Sequence, residues 1–417
     1  MGRILKTICF LFLVIDTSFA QLATTSPYSR FGLGDLQGTV FAEYTALGGG
    51  VSSLSDEYSI NPYNPATYSN IGKNTFLLSL GALHNTVNTQ NNSDNYISNN
   101  TSFSHLTLAF PFNDKIGMSI GLLPYSNIGY ELSSRDEEYN ADLLYFGDGG
   151  LSTAYLGGAY QLSNNLAFGV NANYLFGGLN RRKKLIYDDN TFLHSRSNSK
   201  LNINGLYYQL GLIYDKKFQD EKLFSLALTL TNNSDISVTR SEILETFSYS
   251  GTLELIKDTV FDNTENGSIT LPQFISVGLT YRDGKRILVI ADYRIQDWSE
   301  YKMFNESDDL SNSVRSSIGL QYIPEYNSTT QYYKRMAYRL GFSYHNTPLQ
   351  FYNTQLNEKS ISLGFGFPIK RSRTRYDFSL VIGERGTLEN NLLKEQFIKF
   401  GLSISYDSIW FLKRQYD

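Results

Sequence analysis

The chain is poor in the residues on which most short-range chemistry is built. It holds a single cysteine, Cys9, inside an N-terminal stretch that reads as removed. No disulfide framework, thiol chemistry or lipid-anchored cysteine is therefore expected of the remainder. Its four histidines, His84, His105, His194 and His345, lie far apart without metal-ligand spacing. No Gly-x-Ser-x-Gly elbow occurs, and Ser104 beside His105 shows no phospholipase pair. "GLGDLQG" (32–38) follows no strand and opens no helix, which removes it as a nucleotide motif. No enzyme, metal or cofactor is expected. Positive charge is not in excess either, with 36 basic against 40 acidic residues and a net −4, so there is no electrostatic footprint for nucleic acid. Long apolar runs are missing too. The run from Ile8 to Ile15 is far short of the ~20 residues that a membrane helix needs.

That run fits a processing signal. In "MGRILKTICFLFLVIDTSFA", Arg3 and Lys6 precede the apolar stretch and Ser18-Phe19-Ala20 closes it, which predicts a signal peptide over 1–20 cleaved after Ala20. What the chain does have is aromatic residues, 14% of the total, with 31 tyrosines, 27 phenylalanines and 33 glycines. They are arranged with period two. In "RYDFSLVI", Tyr376, Phe378, Leu380 and Ile382 share one face, and Asp377, Ser379 and Val381 the other. "IKFGLSIS" sets Ile398, Phe400, Leu402 and Ile404 against Lys399, Gly401, Ser403 and Ser405. One face is apolar and often aromatic, the other small or polar, as in a barrel with lipid outside and a polar or crowded lumen.

About fourteen such runs lie between 73 and 410. The fold class expected is all-β, a transmembrane antiparallel barrel closed because a bilayer has no water for an open sheet edge. Short connections ("PFNDK", "SNN", "RDGK") alternate with longer ones at 88–100, 132–149, 185–199 and 232–271. This alternation predicts an outer-membrane location with both termini in the periplasm. Residues 73–417 make the barrel, and residues 21–72 have no place in its wall. They include "INPYNPATYSN" (60–70), whose two Asn-Pro steps exclude both helix and ladder. Irregular backbone is tolerated at membrane depth when it is buried in protein. Residues 21–72 are therefore expected to form a plug inside the lumen.

Three stretches resemble the FadL-type outer-membrane transport proteins. "ALGGGVSSLSDEYSINPYNPATYSN" is similar to that family's N-terminal hatch. Asn64, Pro65 and Ala66 match its Asn-Pro-Ala step, Asp56 matches the upstream acid, and Asn61 and Pro62 form the preceding Asn-Pro step. "LPQFISVGLTYRDGKRILVIADYRIQDWSEY" resembles a mid-barrel hairpin, with Leu271, Pro272, Trp298 and Ser299 at the matching positions. "YRLGFSYHNTP" resembles a later Tyr-Arg-x-Gly strand. The resemblance implies a fourteen-stranded plugged barrel that takes up hydrophobic molecules. "SPYSRFGLGDLQG" and the tail "WFLKRQYD" look like the Bacteroidetes branch, whose members also serve as subunits of outer-membrane secretion and assembly machines.

Two basic clusters remain. Arg181, Arg182, Lys183 and Lys184 are candidates for lipopolysaccharide contact, against a plain solvated strand end. "KRSRTR" (370–375) reads as a charge belt at the membrane edge. Trp298, Tyr125, Tyr130, Tyr293, Tyr301, Tyr322 and Tyr344 read as interfacial girdle. Strand 286–295 begins apolar on both faces, which suits an apolar path or contact with the plug. Two functions stay open. One is passive uptake of a hydrophobic ligand, first captured by Ile243, Leu244, Phe247 and Leu253. The other is a non-transporting barrel that partners other outer-membrane machine subunits, with lipid and lipopolysaccharide around it. Either way the protein should fractionate with membranes and require amphiphile. A polypeptide monodisperse in plain buffer would refute the reading.

Overall fold

In the computed structural model, which describes residues 26–410 apart from Asn190, Asp220 and Arg371, the period-two runs form one closed antiparallel cylinder. The signal peptide expected at 1–20 and the tail after Trp410 lie outside the described residues. The wall has fourteen strands. They are β1 (Thr75–Gln90), β2 (Asn95–Pro111), β3 (Ile116–Asp136), β4 (Ala141–Gln161), β5 (Leu166–Tyr187), β6 (His194–Lys217), β7 (Lys222–Thr231), β8 (Phe274–Asp283), β9 (Ile287–Gln296), β10 (Ser313–Tyr322), β11 (Ala337–Phe351), β12 (Thr354–Pro368), β13 (Arg375–Gly386) and β14 (Lys394–Ile409). Each pairs with the next, and β14 pairs with β1 from Lys394↔Gln90 to Ile409↔Thr75, so no edge is left at the seam.

The two faces of the wall differ as the alternation requires. Leu320, Leu340, Phe342, Ile361, Leu363, Phe365 and Phe400 point outward and stay 42–57% exposed. A soluble surface does not leave so continuous an apolar band uncovered, and a bilayer covers it. Among the described residues no helix is long and apolar enough to cross a membrane. The chain enters β1 and leaves β14 at the same rim, where Trp410 N donates to Asn74 O at 3.0 Å. The short turns, such as 112–115 and 284–286, are at this near rim.

At the far rim the expected loops are mostly strand. The hairpins β1–β2, β3–β4 and β5–β6 run almost to their tips. The segment 232–271 is a two-stranded ribbon, Ser234–Ser250 with Leu253–Leu271, that continues the sheet beside β6. Outside the bilayer both faces of a hairpin are wet. The ladder persists there while the alternation of side chains stops.

Residues 26–72 fill the interior. They carry three short helical elements and a short strand: 3-10 segments at Pro27–Arg30 and Pro65–Asn70, a helical turn at Ala42–Thr45, and Asp35–Leu36, which pairs with Ser126 and Asn127 of β3. The segment presses on the wall wherever the inward face is glycine. A Cβ on Gly117 would collide with the carbonyl of Tyr68, on Gly169 with the backbone at Pro65, on Gly211 with Asn64, and on Gly341 with the backbone at Gly48. Gly117, on β3, lies near the paired Gly169 and Gly211 of the adjacent strands β5 and β6, and Gly341 lies on β11 in a separate part of the wall. The small face in the sequence is the footprint of this segment. Gly169→Val should cost about 1–3 kcal/mol by overpacking and open residues 26–72 to protease while the barrel still migrates as a folded species in cold detergent gels. An unchanged digestion pattern would contradict the assignment.

Candidate functional site

The two Asn-Pro steps are a matched pair of braces. Proline at 62 and 65 sets φ and removes a donor, and each preceding carboxamide closes the turn by accepting from the residue two further on. Tyr63 N donates to Asn61 Oδ1 at 3.1 Å, and Ala66 N to Asn64 Oδ1 at 3.0 Å. The other end of each carboxamide ties back across the segment. Asn61 Nδ2 donates to Val51 O (2.7 Å) and Leu54 O (2.9 Å), and Asn64 Nδ2 donates to Ser52 O at 2.6 Å. Wall side chains satisfy the remaining carbonyls. Asn171 Nδ2 donates to Pro62 O at 2.9 Å and Gln209 Nε2 to Tyr63 O at 2.6 Å. Asn61, Asn64 and Ala66 are fully buried. Asp56 is half exposed, caps Tyr58 N at 2.9 Å and faces Arg282 at 3.8 Å. Asn61, Asn64 and Ala66 thus support the backbone, while Asp56 lines the cavity beneath it.

Two cavities flank the segment. The far one, about 190 Å³, lies over Gly32–Val40 and is lined by Arg294, Arg315, Glu358, Arg385 and Lys399. The near one, about 700 Å³, lies beneath the Ala42–Thr45 turn. Between them Val40, Phe41, Tyr44, Leu47, Val51 and Leu54 pack on Leu288 and Ile290 of β9. This apolar septum accounts for the two-sided strand: Leu288 and Ile290 hold the inner segment, and Leu288 also lines the near cavity.

Charged side chains on the inward face clamp the septum from both sides. On the near side Arg339 donates to Asp377 at 2.6 Å and Arg375 to Asp377 at 2.5 Å, and Arg375 reaches Glu43 at 3.6 Å. Burial, with Asp377 close by, pushes the Glu43 carboxyl up from its ordinary value against the pull of Arg375 and Arg339. On the far side Arg385 pairs with Asp35 (2.5 Å) and Glu395 (2.6 Å), and Ser26 Oγ donates to Glu395 at 2.6 Å. Sequence reading passed over these groups. The signal was there in charges such as Arg339, Asp377, Arg385 and Glu395 placed within membrane-depth strands, which points to internal partners.

Several expected sites are rearranged. The run 181–184 is not one patch: Arg181 donates to Gly32 O at 2.7 Å inside the lumen, and Lys184 pairs with Glu254 of the outer ribbon. Arg182 and Lys183 remain exposed. Trp298, Tyr130 and Tyr301 are buried in the far core with Leu271, and Tyr125 packs against it. They are therefore not girdle residues, whereas Tyr293, Tyr322 and Tyr344 do face outward. Pro272 O accepts from Gln296 Nε2 at 3.0 Å, and Ser299 Oγ donates to Asp297 at 2.5 Å. Phe247 is buried against His194 and Tyr249, which breaks up the expected outer apolar patch and leaves Leu253 exposed. Lys370, Arg373 and Arg375 line the near cavity and do not form a lipid-edge belt. Each histidine has its own local partner, as His105 does between Ser79 and Ser104. Among the described residues no group of three could hold a metal.

The wall strands part between β2 and β3. β2 pairs with β1 over most of its length but with β3 only from Leu106↔Leu122 to Pro111↔Gly117. Beyond Leu122 the edge of β3 is taken from inside. Gln37 N donates to Tyr125 O at 2.9 Å, Ser26 N to Gly129 O at 3.0 Å, and Asp35–Leu36 pair with Ser126–Asn127. Pro124, which has no N–H to offer a neighbour, sits where the strands part.

The architecture is shared with solved outer-membrane transporters. The Pseudomonas putida toluene transporter TodX is similar with a TM-score of 0.59 and 15% identity, covering 92% of this chain and 100% of that one. The Ralstonia pickettii toluene transporter TbuX gives 0.58 and 15%, covering 89% and 98%. A Pseudomonas aeruginosa FadL homologue gives 0.59 and 11%, covering 89% and 99%. No curated protein matches the sequence. A family model described as BamG matches residues 1–417. Asp377→Ala would strand the buried Arg339 guanidinium and remove the nearer of two carboxylates from the half-buried Arg375. It should cost about 3–5 kcal/mol, read as a lower unfolding temperature in detergent, whereas Asp56→Ala should change it by under about 1 kcal/mol.

Proposed function

The chain belongs to the BamG family, and from that premise we propose that it is a sealed FadL-type barrel acting as a structural partner in an outer-membrane protein assembly machine. The septum carries this reading. A transporter of apolar molecules needs a continuous apolar route, because transfer from water is favoured by about 25 cal/mol per Å² of apolar area buried. Here the cavities above and below the inner segment each set guanidinium and carboxylate groups among apolar side chains, and between the two cavities Val40, Phe41, Tyr44, Leu47, Val51 and Leu54 pack on each other and interrupt any apolar route. The name of the family points the same way, as does the likeness of residues 26–38 and 410–417 to the Bacteroidetes branch. The short-turn rim faces the periplasm in this reading, as in other outer-membrane barrels.

One observation favours a second reading, passive uptake of hydrophobic compounds. The parting of β2 from β3 is a lateral slit, with Phe103 and Leu106 on its outer side 49% and 43% exposed. A molecule released from the lumen would leave through it into the bilayer, provided that residues 26–37 withdrew. Affinity purification from native outer membranes separates the two. Stoichiometric partner proteins, with unchanged uptake of toluene and fatty acid in a deletion strain, are expected. A barrel purified alone, together with a deletion strain defective in uptake, would overturn the assembly reading.

A further inference from the structure

The near cavity is a built cationic basin. Seven cations and three carboxylates line it, a surplus of 7 − 3 = 4 positive charges. Four of the cations are committed within the fold. Arg339 and Arg375 serve Asp377, Arg282 faces Asp56 at 3.8 Å, and Arg373 faces Asp407 at 3.9 Å. The other three are Lys285, Arg335 and Lys370, none of which has a carboxylate within 4.0 Å among the described residues. They stand on three different near-rim connections, 284–286, 323–336 and 369–374. Two cations of the wall are held in place by rings: Lys285 Nζ lies 4.1 Å from the Tyr326 centroid and the Arg373 guanidinium 4.4 Å from that of Tyr58. Arg282 Nη2 donates to Ser55 O at 2.9 Å, which fixes this guanidinium against the inner segment, and its Nε is buried with no acceptor among the described residues.

We propose that this basin binds an acidic peptide segment presented by a partner protein at the near rim. This rests on the assembly reading for the identity of the partner, while the chemistry of the site is independent of it. A volume of about 700 Å³ is within the ~300–1,000 Å³ usual for ligand pockets and too large for one phosphate. Cations spread over three turns match several carboxylates along an extended chain, and Tyr58 and Tyr326 offer apolar surface for its backbone. A lipid headgroup fits less well. The basin opens into the mouth of the lumen, whereas the same strands turn Val289, Leu340 and Phe365 outward to the bilayer. A leaflet phosphate would have the wall between itself and these cations.

The test uses the full chain in detergent with a fluorescein-labelled hexaglutamate peptide, read by anisotropy at low and high salt. Binding that weakens with salt is expected, with a loss of about tenfold or more in the triple variant Lys285→Gln, Arg335→Gln, Lys370→Gln, whose side chains support no ion pair among the described residues. Equal binding by wild type and variant, or no binding by wild type, would overturn the proposal. So would displacement of the peptide by millimolar pyrophosphate or by anionic phosphatidylglycerol vesicles as efficient as its displacement by unlabelled hexaglutamate. A hexalysine control should not bind. The same variant is then taken through the native-membrane purification. Loss of a co-purifying protein would support both site and partner. Variant-sensitive peptide binding by a barrel that never carries a partner would support the site and overturn the assembly reading.

Discussion

An irregular peptide chain at membrane depth must find a partner for each of its backbone polar groups, and water is not on offer. The interior of this barrel is organised around that demand. Residues 26–72 have almost no regular structure to satisfy themselves, so side-chain amides and hydroxyls do it for them. Asn61 and Asn64 use both ends of their carboxamides, and Asn171, Gln209 and Thr67 complete the set. An alanine at Asn61, Asn64, Asn171 or Gln209 would leave an orphaned carbonyl or amide in an environment that penalises it. The prolines reduce the demand by removing donors that would otherwise need acceptors.

Packing follows from the same requirement. For wall amides to reach the carbonyls of an irregular segment, the two backbones must come close, and glycine is what lets them. The inward face of β3, β5, β6 and β11 is stripped of side chains at Gly117, Gly169, Gly211 and Gly341, where residues 48 and 64–68 approach. Elsewhere the wall offers charge. The Asp377 and Arg385 networks join inner segment to strand through groups that would be prohibitively unstable alone at this depth, and each is stable only because its partner is present. The septum is thus held by amide braces in the middle and by ion pairs above and below.

Much of this was legible in the sequence, and the boundary is physical. The alternation of Tyr376, Phe378, Leu380 and Ile382 with Asp377, Ser379 and Val381 gives strand, sidedness and a lipid-facing wall because lipid imposes opposite demands on the two faces. The same rule goes silent beyond the bilayer, and so the hairpin tips and the ribbon at 234–271 read as loops. Side-chain parity was the second blind spot. Tyr130 and Tyr301 are aromatic near strand ends, as girdle residues are, but they face inward. Composition alone does not tell which way a strand is turned. The Asn-Pro steps announced stiffness; what their amides bind is set by residues ten positions away in the chain or a hundred.

The anchoring of the inner segment has a consequence for the order of events in folding. Ser26 bonds Glu395, Asp35 bonds Arg385, and Ala42 N donates to Ser403 Oγ, contacts between residues 350 or more apart. The strands that receive them, β13 and β14, are the last of the wall to be synthesised. The inner segment therefore cannot complete its contacts before these two strands stand in the wall, which couples the seating of the contents to the closing of the cylinder.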